Sequence, residues 1–132
     1  MPCETPRPDG SLGPLYLIGA LRRIGIEAEL LDCTIGTAED TLETTFYRSV
    51  MQDNGLIRIG MSWTRIEEYL EKEQFDVVAI SSNFTSQTNM AFGVARLARR
   101  VNPDCLIIGG GVNARNLWPR FMKTGDFDII CT

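Results

Sequence analysis

The chain contains no histidine. That absence removes the commonest metal ligand, the usual general base and every Ser-His or Cys-His dyad at once. The four cysteines, Cys3, Cys33, Cys105 and Cys131, stand too far apart for a zinc knuckle, a redox pair or a clustered iron-sulfur motif. Cys105 and Cys131 lie inside apolar runs, where a thiol reads as a small hydrophobe. Dense basic runs and aromatic platforms are also missing. With 13 Lys plus Arg against 17 Asp plus Glu the net charge is -4, so nucleic acid is not an expected partner. No apolar stretch reaches the roughly 20 residues of a membrane span, and the opening "MPCETPRPDG" lacks the charged and apolar regions of a signal peptide. The expected compartment is the cytoplasm.

What is present suits one soluble domain covering residues 1–132, since 44% apolar and 23% charged residues suffice for a core of ordinary size. Four of the six prolines, with Gly10 and Gly13, lie before Leu15, so the start reads as a loop. Leu15, Ile18, Leu21 and Ile24 then recur at helical spacing, with Arg22 and Arg23 near the end and Gly25 as the terminating residue. "EAELLDC" alternates as a strand over Glu27–Asp32. Leu42, Phe46 and Val50 predict a helix within Thr37–Gln52, opened by Thr37 or Asp40. A turn at Asn54-Gly55 precedes a short ribbon containing Leu56, Ile57 and Ile59. Ser62 or Thr64 caps the next helix, which turns Ile66 and Leu70 inward.

The remainder alternates regularly. "FDVVAIS", "CLIIG" and "FDIIC" are short apolar runs of the kind buried in parallel sheets. Between them lie helical patterns at Met90, Val94, Leu97 and Val101, and at Leu117, Phe121 and Met122 with Pro119 in the first turn. Such alternation predicts an α/β fold: a flavodoxin-like or Rossmann-like open parallel sheet with helices on both faces. The pattern opens with a helix where such a domain normally opens with its central strand, so that first strand is expected to be missing or supplied from elsewhere. Ligands in these sheets bind outside the carboxyl ends of the strands.

Two strand ends carry small residues there. Ser81, Ser82, Asn83, Thr85 and Ser86 crowd hydroxyl and amide groups after one strand, more than a single helix cap requires. Gly109, Gly110 and Gly111 follow the next, either as a tight turn or as a place where a ring system approaches the backbone. The triglycine lacks Gly-x-Gly-x-x-Gly spacing, and no Gly-Lys-Ser/Thr occurs, so a nucleotide phosphate cradle is poorly supported. A phospho-acceptor domain would need an aspartate where Ser-Ser-Asn stands. The carboxylates fall mostly on helix faces, as at Glu67, Glu68, Glu71 and Glu73, where a solvated surface is the expected role, so acid-base catalysis is poorly served.

"GSLGPLYLIGALRRIGIEAELLD", "RIGMSWTRIEEYLEKEQFDVVAISSNFTSQ", "CLIIGGGVNARNLWP" and "GDFDIICT" resemble, in order and spacing, the cobalamin (B12)-binding domain at the front of many radical S-adenosylmethionine enzymes. Within that family the resemblance is closest to the branch of the anaerobic magnesium-protoporphyrin monomethyl ester oxidative cyclase. It implies a corrin lying across the sheet's carboxyl ends, with its nucleotide tail threading between strands and a helix. By position, Ser81, Ser82 and Thr85, with Asn83 and Ser86, match the loop that hydrogen-bonds the tail. Gly109, Gly110 and Gly111, followed by Val112, match the glycine turn. Gly10, Ser11, Leu12 and Gly13 match the loop beside the corrin, and Phe84 and Asn113 its rim.

The resemblance also sets limits. Cobalamin carriers with an Asp-x-His-x-x-Gly motif ligate cobalt through histidine, so cobalamin here would lack a histidine lower ligand. No Cys-x-x-x-Cys-x-x-Cys motif occurs, so a 4Fe-4S cluster and S-adenosylmethionine would belong to a C-terminal radical SAM domain of a longer parent, and this chain would carry no catalytic or metal-ligating residue. The implied chemistry is methyl transfer or oxidative cyclisation on a tetrapyrrole-like or other organic substrate. A homodimer is compatible with it. The alternative is a degenerate domain that has lost the cofactor and only docks a substrate or partner.

Overall fold

The computed structural model describes residues 12–132, which fall into two compact units dividing after Ser62. Among the described residues no helix is long and apolar enough to cross a membrane.

In the first unit, α1 spans Leu12–Arg23. Pro14 lies in its first turn, where a missing N–H costs nothing. Its end follows from Gly25, whose φ of 81° is open to glycine. Gly25 N–H donates to Arg22 O at 3.1 Å and Ile26 N–H to Leu21 O at 3.0 Å, the paired bonds that close a helix through a left-handed residue. No residue of α1 is buried.

Two expectations fail in this unit. Glu27–Asp32 is not a strand: the ladders run β1 to β2, β3 to β4 and β4 to β5, and none includes it. Alternation marks a segment that could pair, whereas a strand exists only when a neighbour accepts its hydrogen bonds. Thr37–Gln52 is not a helix but a series of turns ending in a strand. Its short side chains hold the backbone instead. Asp40 Oδ2 accepts the Thr37 N–H and hydroxyl, both at 2.9 Å, and the Thr44 and Thr45 hydroxyls each donate to Thr41 O at 2.9 Å. Such local bonds compete with a helical ladder. Strand β1 (Ser49–Met51) pairs antiparallel with β2 (Ile57–Ile59) around Gly55, with Val50 opposite Arg58. The ribbon expected near Asn54-Gly55 is therefore present.

The second unit follows the α/β pattern. Helix α2 (Trp63–Glu73) buries Ile66 and Leu70. Strand β3 (Val77–Ser81) leads through a single 3-10 turn, Thr85–Gln87, into α3 (Thr88–Val101). Next come β4 (Leu106–Gly110), α4 (Val112–Asn116), α5 (Trp118–Lys123) and β5 (Ile129–Ile130). The three strands are parallel in the order β3-β4-β5, with Val77 opposite Leu106 and Ser81 opposite Gly110.

One sheet face carries Val78, Ile80, Ile107 and Gly109: Val78 lines a small cleft with Leu70, Ala98 and Cys105, and Gly109 stands against Phe127 of an aromatic cluster. Phe92 of α3 lies 4.9 Å from Phe121 of α5, which lies 5.2 Å from Phe127. The opposite face presents Val77, Ala79 and Ser81 of β3, all exposed, beside half-buried Ile108 and Gly110 of β4. At the amino ends of the strands, Arg99 ties α3 to the sheet. Its guanidinium donates to the carbonyls of Pro103, Cys105 and Asp126 and pairs with Asp128 at 2.6 Å, while Asp128 Oδ2 accepts the Ile107 N–H at 2.7 Å.

Candidate functional site

Strands β3 and β4 end side by side, so the ladder itself brings the serine loop and the triglycine together. Ser82 N–H extends the ladder by donating to Gly110 O at 2.8 Å. Ser82 O then accepts the N–H groups of Asn113 and Ala114, at 3.1 and 3.4 Å, at the start of α4. The two loops are thus stitched at their bases.

The three glycines do different work. A Cβ on Gly109 would press on Ile130 Cδ1 at 2.6 Å and on the Phe127 ring at 3.2 Å, so its lack of a side chain serves core packing. Gly111 has φ 95° and ψ 167°, a region essentially restricted to glycine. A Cβ there would also collide with Ser82 O and stand 2.7 Å from Asn83 Oδ1. Gly110 alone faces open space, with nothing within 4 Å of its would-be Cβ.

The loop side chains also separate into two groups. Ser82, Thr88 and Asn113 are buried, and Asn113 Nδ2 lies 2.9 Å from both hydroxyl oxygens. Ser81, Asn83, Phe84, Thr85 and Ser86 are exposed, Phe84 by 66%. Gln87 Oε1 accepts the N–H groups of Asn83 and Phe84, at 3.2 and 3.3 Å, and so braces the loop tip. Val112 is exposed beside them. Leu12 and Gly13 open α1 in the first unit, and Gly10 and Ser11 lie outside the described residues.

Gln87 and Thr88 escape a reading of the sequence that stops at Ser86. Their signal is position. A glutamine three residues after Phe84 can reach back to the free N–H groups preceding a helical turn, and a threonine opening a helix can bond the preceding carbonyl. Thr88 does so, donating to Thr85 O at 2.8 Å.

The site carries no charge, since neither Ser81–Gln87 nor Gly109–Ala114 contains an ionisable side chain. Among the described residues no three His, Cys, Asp or Glu side chains gather as metal ligands. Hydroxyls, amides, an exposed aromatic ring and a bare patch of backbone can hold a large neutral surface and its hydrogen-bonding appendages. They cannot transfer protons at neutral pH.

Comparison with known proteins agrees with this chemistry. The family model described as "B12 binding domain" matches residues 10–132. A curated relative, cytidylyl-2-hydroxyethylphosphonate methyltransferase of Streptomyces wedmorensis, is 29% identical over 114 residues. The match takes in 85% of this chain but only 20% of the relative's length. No solved structure matches.

Proposed function

The chain belongs to the B12-binding domain family, and from that premise we propose that it holds cobalamin over the carboxyl ends of β3 and β4 and presents it to another domain of a longer parent protein. The observation that carries the placement is the open space at Gly110 beside exposed Ser81. At these paired positions a ligand's tail can lie against the sheet without displacing any side chain.

The residues fit such a group in the following way. Ser81, Thr85 and Ser86 offer exposed hydroxyls, Asn83 an exposed amide, and Phe84 and Val112 an apolar rim. Ser82, Gly109, Gly111 and Asn113 shape the floor from within the protein, through the packing and hydrogen bonds described above. Leu12 and Gly13 open helix α1 and Gly10 and Ser11 lie outside the described residues, so the loop that the resemblance implied for them forms no part of this placement. When bound, cobalamin supplies cobalt-centred one-carbon transfer. The chain has no imidazole to offer that cobalt, and its own part would be to bind the cofactor and orient it.

The parent reading is that of a cytoplasmic radical S-adenosylmethionine enzyme in which residues 1–132 form one cobalamin module. It is supported by the resemblance in the sequence and by the much greater length of the curated relative. That relative is a methyltransferase by name, which favours methyl transfer over the oxidative ring closure of the magnesium-protoporphyrin cyclase branch. The 4Fe-4S cluster and S-adenosylmethionine would sit in the partner domain, whose sequence should contain Cys-x-x-x-Cys-x-x-Cys.

The direct test mixes the folded protein with hydroxocobalamin and follows corrin absorbance through gel filtration. Comigration is expected. A folded sample that elutes free of corrin would turn the reading to a docking module that has lost its cofactor.

A further inference from the structure

Ser82, Thr88 and Asn113 expose only 1%, 3% and 3% of their surfaces. The hydrogen-bond polarity among them is set by Thr88, whose proton goes to Thr85 O. With that proton committed, the Thr88 oxygen can only accept, so the Asn113 group facing it is the amide NH2 and not the carbonyl. The second amide hydrogen then reaches Ser82 Oγ. One side chain at the start of α4 therefore grips the last residue before the β3 loop tip and the first residue after it. The five residues between those grips, Asn83 to Gln87, are all exposed.

We propose that Asn113 is a positioning residue of the cobalamin site, ordering the Asn83–Gln87 tip before ligand arrives. Backbone already anchors Ser82 in the β3–β4 ladder and Thr88 in α3, and the Asn113 side chain ties these two anchors to each other, which leaves binding less of the exposed tip to order. That part of the ordering is done in folding. Asn113 acts through Ser82 and Thr88, and the ligand meets the tip and Gly110. This deepens the cobalamin reading, on which its affinity measurement rests, whereas its hydrogen-exchange measurement is independent of any ligand.

The experiment compares the whole chain with Asn113→Leu and Thr88→Val. Asp128→Asn, at the amino ends of the strands, serves as a control for general loss of stability. Amide exchange at residues 83–87 is measured without ligand, hydroxocobalamin affinity by titration, and global stability by urea unfolding. Asn113→Leu and Thr88→Val should each speed exchange at the tip and weaken affinity by about tenfold, the equivalent of one lost ordering interaction. The control should leave tip exchange and affinity unchanged even where its unfolding midpoint falls as far.

Unaltered tip exchange in the Asn113 and Thr88 variants overturns the proposal. So does faster exchange with affinity no lower than the control's, because ordering would then do nothing for the ligand. If Asn113→Leu does not fold, Ser82→Ala, which removes the Asn113 partner at the other grip and leaves the bond from Thr88 to Thr85 O intact, decides in its place by the same two measurements. Should the unaltered chain fail to bind hydroxocobalamin, the cobalamin reading falls, and the exchange result still decides whether Asn113 orders the tip.

Discussion

Ser81 and Gly110 are partners across the β3–β4 ladder, and a Cβ placed on Gly110 would meet no heavy atom within 4 Å. A side chain can therefore begin at this position without meeting the protein at its first carbon, which makes the position a probe of what else occupies the space. Gly110→Leu should leave the thermal midpoint within about 2 °C, as for a surface substitution of less than 0.5 kcal/mol, and should abolish comigration of hydroxocobalamin. Retention of corrin by the folded variant would refute the placement of the tail beside Ser81.

The triglycine makes a second, purely structural prediction. Gly111→Ala must adopt φ 95° and ψ 167° and also displaces the Ser82 carbonyl, so it should destabilise by about 1–3 kcal/mol from backbone strain alone. Gly109→Ala meets the tip of Ile130, which can swing aside, and should cost less. Gly110→Ala should cost least of the three. Urea midpoints give the ranking, and a largest loss at Gly110 would contradict the assignment of open space there.

The second unit is legible in the sequence because each of its elements has a partner close along the chain. Three apolar runs separated by helical patterns admit few arrangements, and the inward positions Ile66 and Leu70 follow from spacing alone. The first unit is less so. Glu27–Asp32 alternates like a strand yet belongs to no ladder, and Leu42, Phe46 and Val50 mimic a helical stripe across a segment whose threonines bond to their own backbone. Periodicity records where apolar groups fall and is silent about short polar side chains that capture the chain first. At the site, the residue types were readable, but the division between clamped Ser82 and Asn113 and the exposed tip was not. Neighbouring serines look alike until the ladder assigns them opposite faces.

At the far end of the sheet, Asp128 is held below the usual carboxylate range, chiefly by the Ile107 N–H that it accepts and then by the Arg99 guanidinium. A carboxyl depressed in the folded state contributes stability above its unfolded value near pH 3.9 and loses it as pH falls through the lower folded value. The difference in unfolding free energy between the unaltered chain and Asp128→Asn should be flat from pH 7 to about 5, then narrow below about pH 4. A difference that stays constant down to pH 2 would show that Asp128 contributes through packing rather than through its charge.

Cys33 presents the opposite sign. Burial first, and the neighbouring Asp32 carboxylate second, push its thiol up to about 11, against a smaller opposing pull from Arg58. Thiolate is the reactive form, so Cys33 should alkylate slowly at pH 8, and its rate should climb toward a midpoint near 11 rather than the roughly 8.5 of a free thiol. Cys131 is exposed and should react readily. Because the folded state resists deprotonation at Cys33 while the unfolded chain does not, stability should decline as pH rises from about 8.5 toward 11, and Cys33→Ala should remove that part of the decline. Peptide mapping after brief iodoacetamide treatment separates the sites. Rapid labelling of Cys33 at pH 8 in the native protein would show that its thiol is neither buried nor shadowed by Asp32.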